Sequence, residues 1–150
     1  MQYAEGLANL AQKGDTMKAD LNVSKYMISK LITLKADMDI SEAIEIFLKH
    51  KISGAPVVDD SGQLIGLFSE ADCIDSYLSC AYNENAGCGS VGDSMSDDVI
   101  TVDANADIIE AARVFKENRL RRIPVTDHGK LVGQISRHDL LRAIHDNGWA

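Results

Sequence analysis

A serine and an aspartate three residues apart stand twice at the end of an apolar run. One copy is Gly66-Leu67-Phe68-Ser69-Glu70-Ala71-Asp72, the other Gly133-Gln134-Ile135-Ser136-Arg137-His138-Asp139. Each run reads as a short buried strand that passes directly into a helix. A helix start carries unpaired backbone N–H groups and the positive end of the peptide dipoles, which suits an anion such as a phosphate. Ser69 and Ser136 are fitting N-caps whose hydroxyls can also meet a ligand oxygen. Asp72 and Asp139 lie one turn further on, where a carboxylate can accept from a ribose diol. Ordinary helices are capped in the same way, so the significance of the pattern rests on its recurrence.

The chemistry these residues suit is holding a nucleotide rather than breaking a bond. No Ser–His–Asp, Cys–His or paired-carboxylate arrangement is visible, and no P-loop lysine follows a glycine-rich turn, so no catalytic residue is expected. His50, His128, His138 and His145 never fall four apart, which excludes a two-histidine zinc helix. Cys73, Cys80 and Cys88 are an odd number without a C-x-x-C pair. Neither a metal site nor a disulfide framework is expected from them, and a reducing cytoplasm suits the count. Cys73, beside Asp72, reads as a helix packing residue.

The elements that position these residues come from an internal duplication. At an offset of 68, Met27 returns as Met95 and Phe47 as Phe115, and the only two prolines, Pro56 and Pro124, coincide. The offset falls to 67 between Asp59/Asp127 and Gly62/Gly129, where a turn has lost one residue. In the first copy, residues 23–27 read as a short helical turn and residues 31–34 as extended chain. Asp39 and Glu42 form a capping box for a helix whose stripe is Ile40, Ala43, Ile44, Phe47 and Leu48. Strands over 54–58 and 63–68 flank the turn Asp59-Asp60-Ser61-Gly62, and a helix over 69–82 follows. In the second copy Asp107 and Glu110 cap a helix with the stripe Ile108, Ala111, Ala112 and Phe115. Strands over 122–126 and 131–135 and a helix over 136–147 complete it. The expected organisation is a leader over 1–21, repeats over 22–82 and 92–147, and a linker over 83–91 rich in glycine and asparagine. A half of this size is marginal alone, so the halves are expected to share an interface.

With 150 residues, 45% of them hydrophobic and 25% charged, the chain has the composition of a soluble globular domain. Its net charge of −8 argues against nucleic acid as the main partner. No apolar run is long enough to span a membrane, and residues 1–21 do not read as a secretory signal.

The two β-α-β-β-α units, the segments Ile52-Ser53-Gly54-Ala55-Pro56-Val57-Val58 and Leu120-Arg121-Arg122-Ile123-Pro124-Val125, and the two G-x-x-S-x-x-D endings resemble a tandem pair of CBS domains, the Bateman module. The resemblance covers about residues 22–146. It implies an α/β (α+β) fold in which the repeats pack sheet to sheet about a pseudo-twofold axis, leaving two clefts. It also implies a non-catalytic regulatory module that binds AMP, ADP, ATP or S-adenosylmethionine, forms a homodimer and signals to a regulated partner. A ligand-free dimerisation adaptor is the alternative. Carried over by residue, the first cleft would take Ser136, Asp139, Arg122, Arg137, Met27, Ile32, Ile52 and Ser53. The second would take Ser69, Asp72, Met95, Ile100, Leu120 and Arg121. Serine replaces the family's common threonine at 69 and 136 and keeps the hydroxyl. Gly54 stands where Arg122 stands in the other copy, and Glu70 where Arg137 does. All six arginines (113, 119, 121, 122, 137 and 142) lie in the second repeat. A guanidinium holds phosphate through two hydrogen bonds, so the first cleft is expected to bind a phosphorylated adenosine more tightly.

Overall fold

The computed structural model describes residues 21–82 and 87–148. The expected leader therefore lies outside the described residues apart from Leu21, and so do residues 83–86 of the expected linker. The chain divides into two compact units. One is continuous and spans residues 32–99; the other is split and joins residues 21–31 to 100–148.

In the continuous unit, helix α2 (Ile40–His50) precedes an antiparallel hairpin of β1 (Gly54–Val58) and β2 (Leu64–Ser69). Asp59 tightens the turn, its Oδ1 accepting from the N–H groups of Ser61 and Gln63 at 2.9 Å. Helix α3 (Glu70–Tyr82) follows, and then a short helix α4 (Val91–Ser94) that begins within the expected linker. Ser90 and Asp93 form a capping box that starts α4. Leu34 joins the hairpin through a parallel bridge to Val57, and Ser96 through an antiparallel bridge to Leu67. The core packs Leu34, Phe47, Val57, Phe68 and Val91.

The split unit repeats this plan. Its elements are α1 (Val23–Tyr26), β3 (Val102–Asp103), α5 (Ile108–Asn118), β4 (Arg122–Asp127), β5 (Lys130–Ser136) and α6 (Arg137–Asp146). β3 runs parallel to β4, which pairs antiparallel with β5. Ile28 bridges Gln134 in the antiparallel sense, as Ser96 bridges Leu67 in the other unit. Val23, Tyr26, Ile108, Phe115, Ile123, Val125 and Ile135 build the core.

The mixed α+β class expected from the sequence is the one observed; the β-α-β-β-α order is complete in the split unit, whereas in the continuous unit the first strand is reduced to the single bridge at Leu34. The short leading helices, however, are exchanged: α1 precedes the first repeat but packs with the second, and α4 precedes the second but packs with the first. Met27 and Met95 each pack against a glycine. A Cβ built at Gly133 would lie 2.5 Å from Met27 Sδ, and one at Gly66 would lie 2.6 Å from Met95 Sδ. The methionine sulfurs could swing aside, but the Ser96 and Ile28 carbonyls, 2.9 and 3.0 Å from the same Cβ positions, also favour glycine there.

Three local expectations need correction. Ile44 and Leu48 do not belong to a buried stripe: they are 37% and 74% exposed, while Ile40, Ala43 and Phe47 are buried. Ile40, Ala43 and Phe47 pack in one core with Val57 and Phe68, and Ile44 and Leu48 lie on a side of α2 that no part of that core covers. Asp39 starts α2 without a side-chain cap bond, whereas Asp107 accepts from Glu110 N–H at 2.8 Å. Within 31–34, only Leu34 is bridged to a strand.

Candidate functional site

The entrance of α6 gathers the most chemistry. Ser136 is the N-cap, in extended conformation, and its hydroxyl accepts from the Asp139 N–H at 3.1 Å. Asp139 returns the bond, its Oδ2 accepting from the Ser136 N–H and hydroxyl, both at 2.9 Å. Its Oδ1 accepts from Arg142 Nη2 at 3.1 Å, and the same nitrogen reaches the Tyr26 carbonyl at 3.2 Å. Asp139 is only 4% exposed. The carboxylate expected to face a ribose is thus already engaged in holding the helix start and α1 together. Arg122 pairs with Ser136 across β4 and β5, and the Arg137 N–H donates to the Arg121 carbonyl at 3.1 Å. Arg121, Arg122 and Arg137 are therefore adjacent and exposed at one helix N-terminus, and none of them is ion-paired among the described residues. Three arginines beside a dipole's positive end are chemistry that suits an anion.

The entrance of α3 has the same backbone and other side chains. Asp72 Oδ2 accepts from the Ser69 N–H at 2.8 Å and the Ser69 hydroxyl at 3.0 Å. Gly54 pairs with Ser69, and the Glu70 N–H donates to the Ser53 carbonyl at 2.9 Å. Serine, glycine and glutamate thus stand where the split unit has three arginines. Asp72 is half-buried, and one turn on stands Asp75 in the place of Arg142.

The expected site residues divide between the units. Met27, Ile100, Leu120, Arg121, Arg122, Ser136, Arg137 and Asp139 belong to the split unit, and Ile32, Ile52, Ser53, Ser69, Asp72 and Met95 to the continuous one. Sequence reasoning missed Arg142 and Tyr26, which hold Asp139. Aligning the copies at the 68 and 67 offsets would have singled them out, because their counterparts are Ser94 and Asp75.

The cysteines also depart from expectation. Cys80 and Cys88 form a disulfide, with Cα atoms 5.1 Å apart. An odd cysteine count does not forbid one pair across a short loop, so the parity argument for a reducing compartment falls. Cys73 is the free one; burial first, then the charges of Asp72 and Glu70, push its thiol up, which suits an inert packing residue. The disulfide borders an open cleft of about 310 Å³ on the continuous unit, lined by Asp72, Asp75, Ser76, Ser79 and Ser94 with Cys80 and Cys88 at its rim. Among the described residues, no cluster of three histidine, cysteine or acidic side chains could hold a metal ion, and no helix is long and apolar enough to cross a membrane.

Two units built on the same helix, hairpin and helix, each opening the helix after its hairpin with a reciprocal Ser–Asp cap, define a tandem-repeat α+β protein. Residues 23–79 and 89–146 each match the CBS domain, and the chain belongs to the CBS domain family. It is 38% identical over 128 residues to the uncharacterised protein MJ1225 of Methanocaldococcus jannaschii, a match that covers 85% of this chain and 44% of that protein. The chain therefore spans less than half of that relative. The crystal structure of CBSX2 in complex with AMP is similar at a TM-score of 0.72 and 30% identity, over 83% of this chain and 96% of that one. CBSX2 is an Arabidopsis thaliana CBS-pair protein. The CBS pair of MJ0100 in complex with 5′-methylthioadenosine and S-adenosyl-L-methionine shares the fold at a TM-score of 0.65 and 24% identity, over 81% of this chain and 97% of that one.

Proposed function

We propose that the chain is a non-catalytic regulatory module that binds AMP, ADP or ATP, with the phosphate held at the entrance of α6. The observation that carries this reading is that Arg122 and Arg137 flank the Ser136 cap, with Arg121, expected in the second cleft, beside them through its carbonyl, where the equivalent helix start has Gly54, Glu70 and Ser53. The AMP bound by CBSX2 supports the choice of ligand. The arginine-free entrance of α3 suits an adenosyl ligand of lower negative charge, such as S-adenosylmethionine. Ile74, Tyr77, Leu78 and Tyr82 expose apolar surface along α3, as Ile44 and Leu48 do on α2, and this face suits a second copy of the chain.

The test is a thermal-shift panel of AMP, ADP, ATP and S-adenosylmethionine, followed by titration calorimetry. A nucleotide at a hundred times its dissociation constant stabilises by ~2.7 kcal/mol. Removing one charged hydrogen bond costs ~1.5–3 kcal/mol, so Arg122→Ala weakens AMP binding about tenfold or more. Absence of any shift, or ATP turnover that Asp139→Ala abolishes, overturns the reading. A sedimentation mass near the 16.3 kDa monomer rather than its double removes the homodimer.

A further inference from the structure

We propose that the open cleft beside α3 is a second binding site, selective for a small guanidinium or amine compound, and that Asp75 sets this selectivity. The site goes beyond the nucleotide reading: it shares Asp72 with the α3 entrance, but Asp75, Ser76 and Ser94 lie outside that reading, and the AMP site at α6 is not involved.

The two units show how the cleft arises. In the split unit the matching space is filled. Tyr26 is buried there, and its hydroxyl accepts from Asn147 Nδ2 at 3.2 Å. Arg142 lies between the Tyr26 carbonyl and Asp139 Oδ1. In the continuous unit, repeat register puts Ser94 in place of Tyr26, Asp75 in place of Arg142 and Cys80 in place of Asn147. A phenol ring, a guanidinium and an amide are lost together, and a space of about 310 Å³ opens. Such a volume is at the small end of ligand sites, roughly 300–1,000 Å³.

The lining dictates the class of occupant. It holds the carboxylates of Asp72 and Asp75, hydroxyls of Ser76, Ser79 and Ser94, and no lysine or arginine among the described residues. Ser76 is 6% exposed, and its hydroxyl is ordered by a 2.8 Å bond to Ser94. Asp72 commits Oδ2 to Ser69, which leaves Oδ1, the counterpart of the Asp139 atom that takes the Arg142 guanidinium. The chain's other copy therefore displays a cation in this geometry, one that the protein itself supplies. Here the acceptor is kept, the cation is removed and a second carboxylate is added. A phosphate is repelled by that pair, whereas a guanidinium carrying a second amine satisfies both. The Cys80–Cys88 disulfide closes one wall.

Agmatine, a guanidinium compound with a terminal amine, is the probe, titrated into the oxidised full chain by calorimetry at low salt with AMP titrated in parallel. Saturable binding of agmatine at about one per chain is expected. Asp75→Asn weakens it about tenfold, the loss of one charged hydrogen bond, and leaves AMP affinity unchanged. The double variant Asp75→Arg with Ser94→Tyr fills the space as the split unit does, so it abolishes agmatine binding without lowering the melting temperature. No binding to the native chain at millimolar agmatine overturns the proposal. So does binding that Asp75→Asn or the double variant leaves intact. Loss of AMP binding alone would instead strike the nucleotide reading.

Discussion

The helix starts of α3 and α6 share one backbone and one Ser–Asp cap, yet their surroundings are of opposite charge. At α6 the cap is closed: Asp139 is buried under Arg142 and Tyr26, while the surface outside it carries three arginines. At α3 the cap is open: Asp72 borders the cleft, and the surface outside it carries Gly54 and Glu70 instead. A duplicated scaffold therefore carries opposite charge at two equivalent places. The split unit supplies its own inner cation and offers positive charge outward, and the continuous unit does the reverse.

Equal truncations at the two caps should break this symmetry most visibly. Asp139→Ala removes a buried capping box and the partner of the half-exposed Arg142, at a cost of about 1–3 kcal/mol, while Asp72→Ala removes only cap bonds, at about 0.5–2 kcal/mol. Urea denaturation of the two variants measures the difference, and equal losses would show that Arg142 contributes nothing. The disulfide belongs to the continuous unit alone. Cys88→Ser opens a loop whose ends are 8 residues apart. In the chain-entropy account this costs ~2.5 kcal/mol, and adding dithiothreitol to the native chain should lower its melting temperature to match. A reciprocal charge exchange sharpens the outer contrast. Arg137→Glu weakens AMP binding, and Glu70→Arg strengthens phosphate binding at α3, each severalfold and less at high salt. An AMP affinity indifferent to both substitutions would place the phosphate elsewhere.

The smallest expected effect is acid sensitivity. Hydrogen bonds from Ser61 and Gln63 hold the Asp59 carboxyl below its ordinary 3.8, and those from Ser90 do the same for Asp93. A lowered folded value means the stabilisation is complete above 3.8 and is lost as pH falls through the lowered values. Asp59→Asn and Asp93→Asn should flatten the loss of stability below about pH 4, as followed by circular dichroism.

Much of this was legible in the chain. The strands and helices followed from the duplication because Pro56/Pro124, Phe47/Phe115 and the paired Ser–Asp endings each mark a fixed place in a repeated fold. The arginine asymmetry at α6 was equally plain. The exchange of α1 and α4 was not, since Val23 and Tyr26 present the same apolar spacing whichever sheet they cover. Ile44 and Leu48 misled because helical spacing records an apolar side without saying how much of it the core covers. The cleft beside α3 needed a subtraction: nothing in Asp75 or Ser94 signals space until Arg142 and Tyr26 are seen to fill it.

The exchange of leading helices also orders events during synthesis. Residues 32–99 are contiguous, so that unit can complete its core as soon as α4 has left the ribosome. The split unit cannot, because Val23 and Tyr26 must wait for Ile108, Ile123 and Ile135, about a hundred residues later. In effect one repeat is inserted into the other. An early stop after residue 99 releases a chain that still holds the whole core of the continuous unit beside an orphaned α1, whereas removal of residues 21–31 leaves the other unit without part of its core.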